Sequence, residues 1–305
     1  MQKTTNHGQA LKLGLVFALL SAMTYGLNPI LAKLGYITGL GGIEILHGRF
    51  LFATLILAVI GPWLEKDFYK FSKDLIKHAV FIAILILLPL NLLYVFALKD
   101  IPASMMSLIT YVYPLLVLLI NLVIFKKQIL GRQWLSVALI ILGCVCIFSD
   151  ALSLHVSALA LALGFLSTLM YALYLISLQQ LAKNLSAFQL TFVTIAIVAA
   201  ALCFVHNPLT LVEYSLPQIG VVSAYGLIST VMSTIFLSRA IQLMGATEAG
   251  IFCSFEPAFT IGFAALFLGE HIPGFRWAGL ALLILAIVLP NFRVLAKLFE
   301  SSSQK

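Results

Sequence analysis

One acidic residue stands in the middle of a long apolar segment. Glu256 lies about eleven residues into the run 245–268, which is near mid-depth of a membrane at about 1.5 Å per helical residue. It precedes Pro257, which frees a backbone carbonyl and permits a kink. Such a carboxyl group can hold a proton, a sodium ion or a substrate ammonium group. The alternative, a neutral acid that is hydrogen-bonded for structural reasons, stays open, and we favour the binding role.

Polar and aromatic side chains recur at helical spacing in other apolar runs. Tyr25 and Asn28 share one face of the first run, and Tyr171 and Tyr174 share the matching face of another. In a lipid bilayer such a face must point toward other helices. It either forms contacts between helices or lines a cavity, and its recurrence favours a cavity. The predicted substrate-binding residues are Glu256, Tyr25, Asn28, Asn91, Tyr94, Tyr111, Tyr171 and Tyr174.

This lining predicts the chemistry of the ligand. Tyrosine rings, small hydroxyls and one carboxyl group suit a small amphipathic zwitterion or an organic cation, with cation–π contact to an ammonium group. The chain contains no H-E-x-x-H or G-x-S-x-G motif, and its four cysteines lack metal-ligand spacing. We therefore expect no enzyme, no metal and no cofactor.

Other embedded residues have roles that the sequence leaves open. Arg49 fits a substrate carboxylate or an ion pair with Glu44, and we favour the ion pair or an anchor at the membrane interface. Glu248 is either a gate residue or a hydrated helix end. Pro114 and Pro257 are predicted kink points for gating.

The composition places the chain in a membrane. Of its 305 residues 62% are hydrophobic and 10% are charged, and the mean hydropathy is +1.10. Soluble domains carry about 25% charged residues. The net charge of +7 is scattered over loops, which argues against nucleic acid as a partner.

Ten apolar runs are long enough to span a bilayer. They cover about 11–36, 42–62, 75–98, 102–125, 131–150, 156–182, 186–206, 215–242, 245–268 and 273–298. With the N-terminus inside, fourteen of the 18 Lys and Arg residues fall on the inner side. This asymmetry predicts cytoplasmic termini and a multi-pass protein of the cell (inner) membrane, which we expect to be a monomer.

A repeat divides the runs into two sets of five. At a constant offset of 143 residues, the first copy and the second share alanine, proline and tryptophan: Ala103, Pro114 and Trp134 recur as Ala246, Pro257 and Trp277. Five helices per copy invert the second copy in the membrane. The sequence thus predicts an all-α integral membrane protein of ten transmembrane helices, built from inverted five-helix repeats at 11–150 and 156–298.

The motifs of the two copies resemble the EamA family of the drug/metabolite transporter superfamily. They read Ala103-Ser104, Tyr113-Pro114, Lys126-Lys127 and Trp134, then Ala246-Thr247, Glu256-Pro257, Gly269-Glu270 and Trp277. The resemblance implies ten helices, cytoplasmic termini and export of small metabolites such as amino acids.

We expect a secondary-active transporter that exports a small metabolite, an amino acid or related zwitterion or amine, by alternating access. Either a proton or a sodium ion fits as the coupling ion. An organic-cation or drug transporter of the same fold is the alternative. An intramembrane enzyme or a channel is least favoured.

Overall fold

The structure is a computed structural model that describes residues 2–124, 126, 135, 137–143, 145–146, 156–181, 186–244 and 246–289. Over these residues the chain is helical, without strands. Seven helical runs are long and apolar enough to cross a membrane, and two shorter apolar helices cover Glu256–Leu268 and Gly274–Ala286. Helices suit lipid because they satisfy their backbone hydrogen bonds internally.

Between residues 2 and 124 the chain forms seven α-helices and a π-helical segment. In order they are α1 (Gln2–Gly26), α2 (Asn28–Ile37), α3 (Gly42–Leu64), α4 (Lys73–Ile82), the π-helical segment Ala83–Leu87, α5 (Leu88–Asp100), α6 (Ala103–Thr110) and α7 (Tyr113–Val123).

The second half follows a similar order. Its described elements are α8 (Ala158–Leu181), α9 (Ala187–Val205), the 3-10 helix Pro208–Glu213, α10 (Leu216–Ala224), the π-helical segment Tyr225–Met232, α11 (Ser233–Met244), α12 (Ala246–Cys253), α13 (Glu256–Leu268) and α14 (Gly274–Val288).

The all-helical membrane class agrees with the sequence prediction. Most of the predicted spans coincide with continuous helical runs. The predicted span 131–150 lies largely outside the described residues, and so does the end of the span 273–298. The predicted total of ten helices therefore stays a prediction.

Three apolar runs are broken at an X-Pro step. The second helix of each pair begins at Asn28, Tyr113 or Glu256, with proline as its next residue. Proline suits the first turn of a helix because it donates no backbone hydrogen bond there. Pro114 and Pro257, the predicted kink points, thus lie at helix breaks. The predicted span 11–36 agrees with the run Leu11–Ile37, which is interrupted by a turn at Leu27 before Pro29.

The break in the first run packs directly on the break before α13. Thr260 Oγ1 donates a hydrogen bond to the Gly26 carbonyl oxygen at 2.9 Å. A Cβ atom on Gly26 would lie 3.0 Å from Phe259 Cβ and 3.2 Å from the Glu256 carbonyl oxygen. Only a residue without a side chain lets the two backbones approach this closely.

We predict that Gly26→Ala destabilises the protein, because the added methyl group overpacks this contact. Overpacking of a close contact costs about 1–3 kcal/mol. Gly262→Ala, also in a helix, is the control, since a Cβ atom there meets no atom within 4 Å. Thermal unfolding of the purified variants checks this. Equal melting temperatures for the two variants would contradict the close approach.

Candidate functional site

Glu256 and Tyr111 join two of the helix breaks. The Tyr111 hydroxyl lies 3.1 Å from Glu256 Oε2 and 2.9 Å from the Cys253 carbonyl oxygen. That carbonyl belongs to the last turn of α12, where a helix end leaves oxygens without internal partners. Tyr111 therefore binds both sides of the break that precedes α13.

A row of tyrosine rings extends from this contact. The ring centroids of Tyr111 and Tyr113 are 5.8 Å apart, and those of Tyr113 and Tyr171 are 5.1 Å apart at an interplanar angle of 85°. Tyr174 stacks on Tyr171 at 6.3 Å. Edge-to-face and offset contacts of this kind hold the rings in fixed orientations.

Tyr25 completes this group from the first helix. It directly precedes Gly26, whose carbonyl oxygen accepts the hydrogen bond from Thr260 in α13, so it lies beside the helix that begins at Glu256. We call the following residues the Glu256 cluster: Glu256, Tyr25, Tyr111, Tyr113, Tyr171 and Tyr174. Tyr113 was missing from the predicted lining, although its place at offset 143 from Glu256 was a signal that could have found it.

A second polar group surrounds Arg49 in α3. Arg49 Nε donates to Thr230 Oγ1 at 3.0 Å. Its Nη1 donates to Asn91 Oδ1 at 3.2 Å and to the Tyr225 hydroxyl at 3.1 Å. The guanidinium carbon also lies 4.3 Å from the centre of the Tyr225 ring. These four residues, which we call the Arg49 cluster, are all buried.

The favoured pairing of Arg49 with Glu44 was wrong. Glu44 Oε2 instead accepts a hydrogen bond from the Gly41 backbone N–H at 2.6 Å, at the N-terminus of α3. Residues five positions apart point about 140° away from each other around a helix. Arg49 therefore faces the protein interior while Glu44 caps the helix.

Asn28 and Tyr94 connect the two clusters. Asn28 begins α2, which packs against α5, and Tyr94 lies in α5 three residues after Asn91, on the same side of the helix as that partner of Arg49. Asn28 Oδ1 is buried and has no hydrogen-bond partner among the described residues. Every predicted lining residue thus lies in one of the two clusters or between them. The side chain of Glu248 lies outside the described residues, so its gating role stays a prediction.

The bundle is closed at one end by an acidic turn. Gly269, at a positive φ of 63°, ends α13 and is followed by Glu270. The Glu270 carboxylate accepts hydrogen bonds from the backbone N–H groups of Ala103 at 2.6 Å and Ser104 at 3.3 Å. A carboxylate at a helix N-terminus is stabilised by unpaired N–H groups and by the helix dipole.

Arg276 adds a charged contact to this turn. Its Nη1 lies 3.4 Å from Glu270 Oε2, and it also donates to the Ser104 hydroxyl. Arg276 is only 3% exposed. We call Glu270, Ala103, Ser104 and Arg276 the Glu270 closure. It ties the start of α6 to the turn between α13 and α14.

Comparisons with known proteins agree with a helical membrane transporter fold. The EamA-like transporter family matches the chain twice, over residues 12–149 and 158–292. A Synechocystis sp. protein named an uncharacterized transporter is 23% identical over 311 aligned positions, which cover 92% of this chain and 93% of that protein. A crystal structure described only as that of a protein is 14% identical and has a TM-score of 0.59. The alignment covers 96% of this chain and 99% of the chain in that structure. This similarity shows the fold alone.

We predict that Glu270→Ala opens the Glu270 closure, because the Ala103 and Ser104 amides lose their acceptor. Loss of a helix N-cap costs about 0.5–2 kcal/mol, so exchange of these amides should accelerate about two- to thirtyfold. Hydrogen-exchange mass spectrometry checks this. Glu213→Ala is the control, since Glu213 is exposed and lies in a different loop. Unchanged exchange at Ala103 and Ser104 would show that the carboxylate does not hold the closure.

Proposed function

The chain belongs to the EamA-like transporter family, and we propose that it is a secondary-active transporter of a small metabolite. The observation that carries the proposal is Glu256, a carboxyl group at a helix break inside the bundle. Broken helices are where many carriers hold their substrates and coupling ions. The proposed substrate is an amino acid or related amine, moved outward by alternating access.

The hydrogen bonds around Glu256 support a proton-binding role. A tyrosine hydroxyl has one proton, yet Tyr111 faces two acceptors, Cys253 O and Glu256 Oε2. A protonated Glu256 that donates to the Tyr111 oxygen leaves the Tyr111 proton for Cys253. A substrate ammonium group or a sodium ion would bind the ionised form instead. The same residue can therefore couple release of a proton to binding of a cation.

The tyrosine rings favour a cationic group on the substrate. Ring faces attract ammonium groups by about 0.5–2 kcal/mol each, and the rings of the Glu256 cluster surround its only carboxyl group. This feature serves an amino acid and an organic cation equally well. Transport of an organic cation or drug is thus the second candidate function.

Two features support alternating access. The family matches the chain twice, which fits two five-helix units at 11–150 and 156–298. The π-helical segments begin at Ala83 and Tyr225, close to the 143-residue offset of the sequence repeat. We propose that the two units are inverted and rock around the Glu256 cluster, with Pro114 and Pro257 at the bending points and Glu248 as a gate residue.

The two ends of the bundle differ in chemistry. Lys127 stands at the repeat position of Glu270, and a lysine ammonium group cannot accept the hydrogen bonds that Glu270 accepts. We propose that the Lys127 end faces the cytoplasm, with both termini, in a cell (inner) membrane, because the distribution of lysines favours that orientation. We propose that the protein works as a monomer and that its transport is coupled to a proton or a sodium ion.

We predict that Glu256→Gln abolishes or strongly reduces transport, because an amide keeps the volume but binds no proton and pairs with no cation. The expected loss is about tenfold or more, as for a hydrogen bond to a charged group. Untargeted metabolite analysis of spent medium compares cells making the intact protein, Glu256→Gln or the control Glu213→Gln with cells carrying an empty vector.

The outcomes separate the claims. A metabolite enriched by the intact protein and by Glu213→Gln, but not by Glu256→Gln, supports both the carrier and the role of Glu256. Equal enrichment by all three proteins at every pH tested would mean that Glu256 has a structural role and no role in transport. Depletion of a metabolite from the medium would mean uptake instead of export.

A further inference from the structure

Arg49 carries a charge that no acidic side chain balances in the part of the chain that the structure describes. The ion pairs there join Lys70 to Asp67 and Arg276 to Glu270, and neither includes Arg49. Arg49 is 8% exposed and lies in the apolar helix α3. A buried, unpaired charge within a membrane segment is costly, so such a residue normally has a partner for part of the transport cycle.

The partners that Arg49 does have are neutral. Thr230, Asn91 and Tyr225 each offer an oxygen, which orients the guanidinium group without cancelling its charge. These contacts use Nε and Nη1, while Nη2 has no hydrogen bond to the described residues. A guanidinium group held on one edge keeps its other edge available for a carboxylate, the anion whose geometry it fits best.

The surrounding backbone is also unusual. Tyr225 and Thr230 lie in the π-helical segment Tyr225–Met232, and Asn91 Nδ2 donates to the carbonyl oxygen of Leu87, the last residue of the other π-helical segment. Such segments are rare and are frequent at functional sites. Both of them therefore contribute to the position of Arg49.

We propose that the Arg49 cluster binds a carboxylate group of the transported molecule. Helix α2 packs against α5, which supplies Asn91, and against α13, which begins at Glu256, so one small molecule can present its carboxylate to Arg49 and its ammonium group to the Glu256 cluster. This inference rests on the proposed function and narrows it: the preferred substrate is a zwitterion, and an amine without a carboxylate is exported less well. Arg49 selects for the carboxylate, while Asn91, Tyr225 and Thr230 are positioning residues.

The experiment extends the spent-medium comparison to Arg49→Gln, Arg49→Lys and Tyr225→Phe. Arg239→Gln is the matched control, because it removes the same charge from an arginine whose one hydrogen bond to the described residues is to Gln242. Metabolites are grouped by whether they carry a carboxylate. Gel filtration of each fluorescently tagged variant reports folding.

The intact protein and Arg239→Gln should enrich metabolites that carry both a carboxylate and an ammonium group. Arg49→Gln should reduce that enrichment about thirtyfold or more, as when one partner of a buried charge pair is removed. Arg49→Lys should recover part of it, and Tyr225→Phe should reduce it a few-fold. Enrichment of amines without a carboxylate should persist in Arg49→Gln.

Other results overturn the inference. Full export of carboxylate-bearing metabolites by Arg49→Gln would exclude the role, and so would equal loss of all metabolites in a folded variant. If Arg49→Gln does not fold, Tyr225→Phe decides: it must reduce carboxylate-bearing metabolites selectively. Enrichment only of carboxylate-free amines by the intact protein would overturn the Arg49 role and leave the transporter standing. If the intact protein changes the level of no metabolite relative to the empty vector, the proposed transport function is contradicted as well.

Discussion

A helix that breaks inside a membrane must find partners for the backbone groups that the break exposes. Here the partners come from the other broken helices. Tyr111, at the break between α6 and α7, binds the Cys253 carbonyl oxygen at the break before α13. Thr260, in α13, binds the Gly26 carbonyl oxygen at the break in the first run. The breaks thus hold one another in place, and the polar side chains next to the prolines are brought to the middle of the bundle.

This constraint also explains the placement of the charged groups. Glu256 is the first residue of α13, where the helix N-terminus and the Tyr111 hydroxyl both favour an oxygen acceptor. Arg49 is surrounded by hydroxyl and amide oxygens that solvate a cation in the absence of water. The two groups are of opposite polarity, and helix α2, which begins at Asn28, packs against both α5 and α13. A molecule with two opposite charges matches this arrangement better than one with a single charge.

Much of this arrangement could be predicted from the sequence. The prolines at 114 and 257, repeated at a fixed offset, marked two of the three breaks, and helical spacing found the tyrosines. Pro29 was overlooked because the apolar run continues on both sides of it. The partners of Arg49 could not be predicted, since Thr230 and Tyr225 are remote in sequence and lie in a π-helical segment with altered side-chain register. Glu44 was nearer in sequence, but it caps its own helix.

The central claim is that one internal site can be reached from either end of the bundle, and that the Glu270 closure shuts one of these ends. It can be tested without knowledge of the substrate, with Tyr113→Cys as the reporter in a chain whose four cysteines are replaced by alanine. The measurement is labelling of this thiol by a membrane-impermeant maleimide, in vesicles of each orientation. A second chain also carries Ser104→Cys and Glu270→Cys, oxidised to a disulfide before labelling. The account predicts labelling from both sides without the disulfide, and only from the side opposite Glu270 with it. Labelling from the Glu270 side despite the disulfide, or from one side only in its absence, would contradict the account.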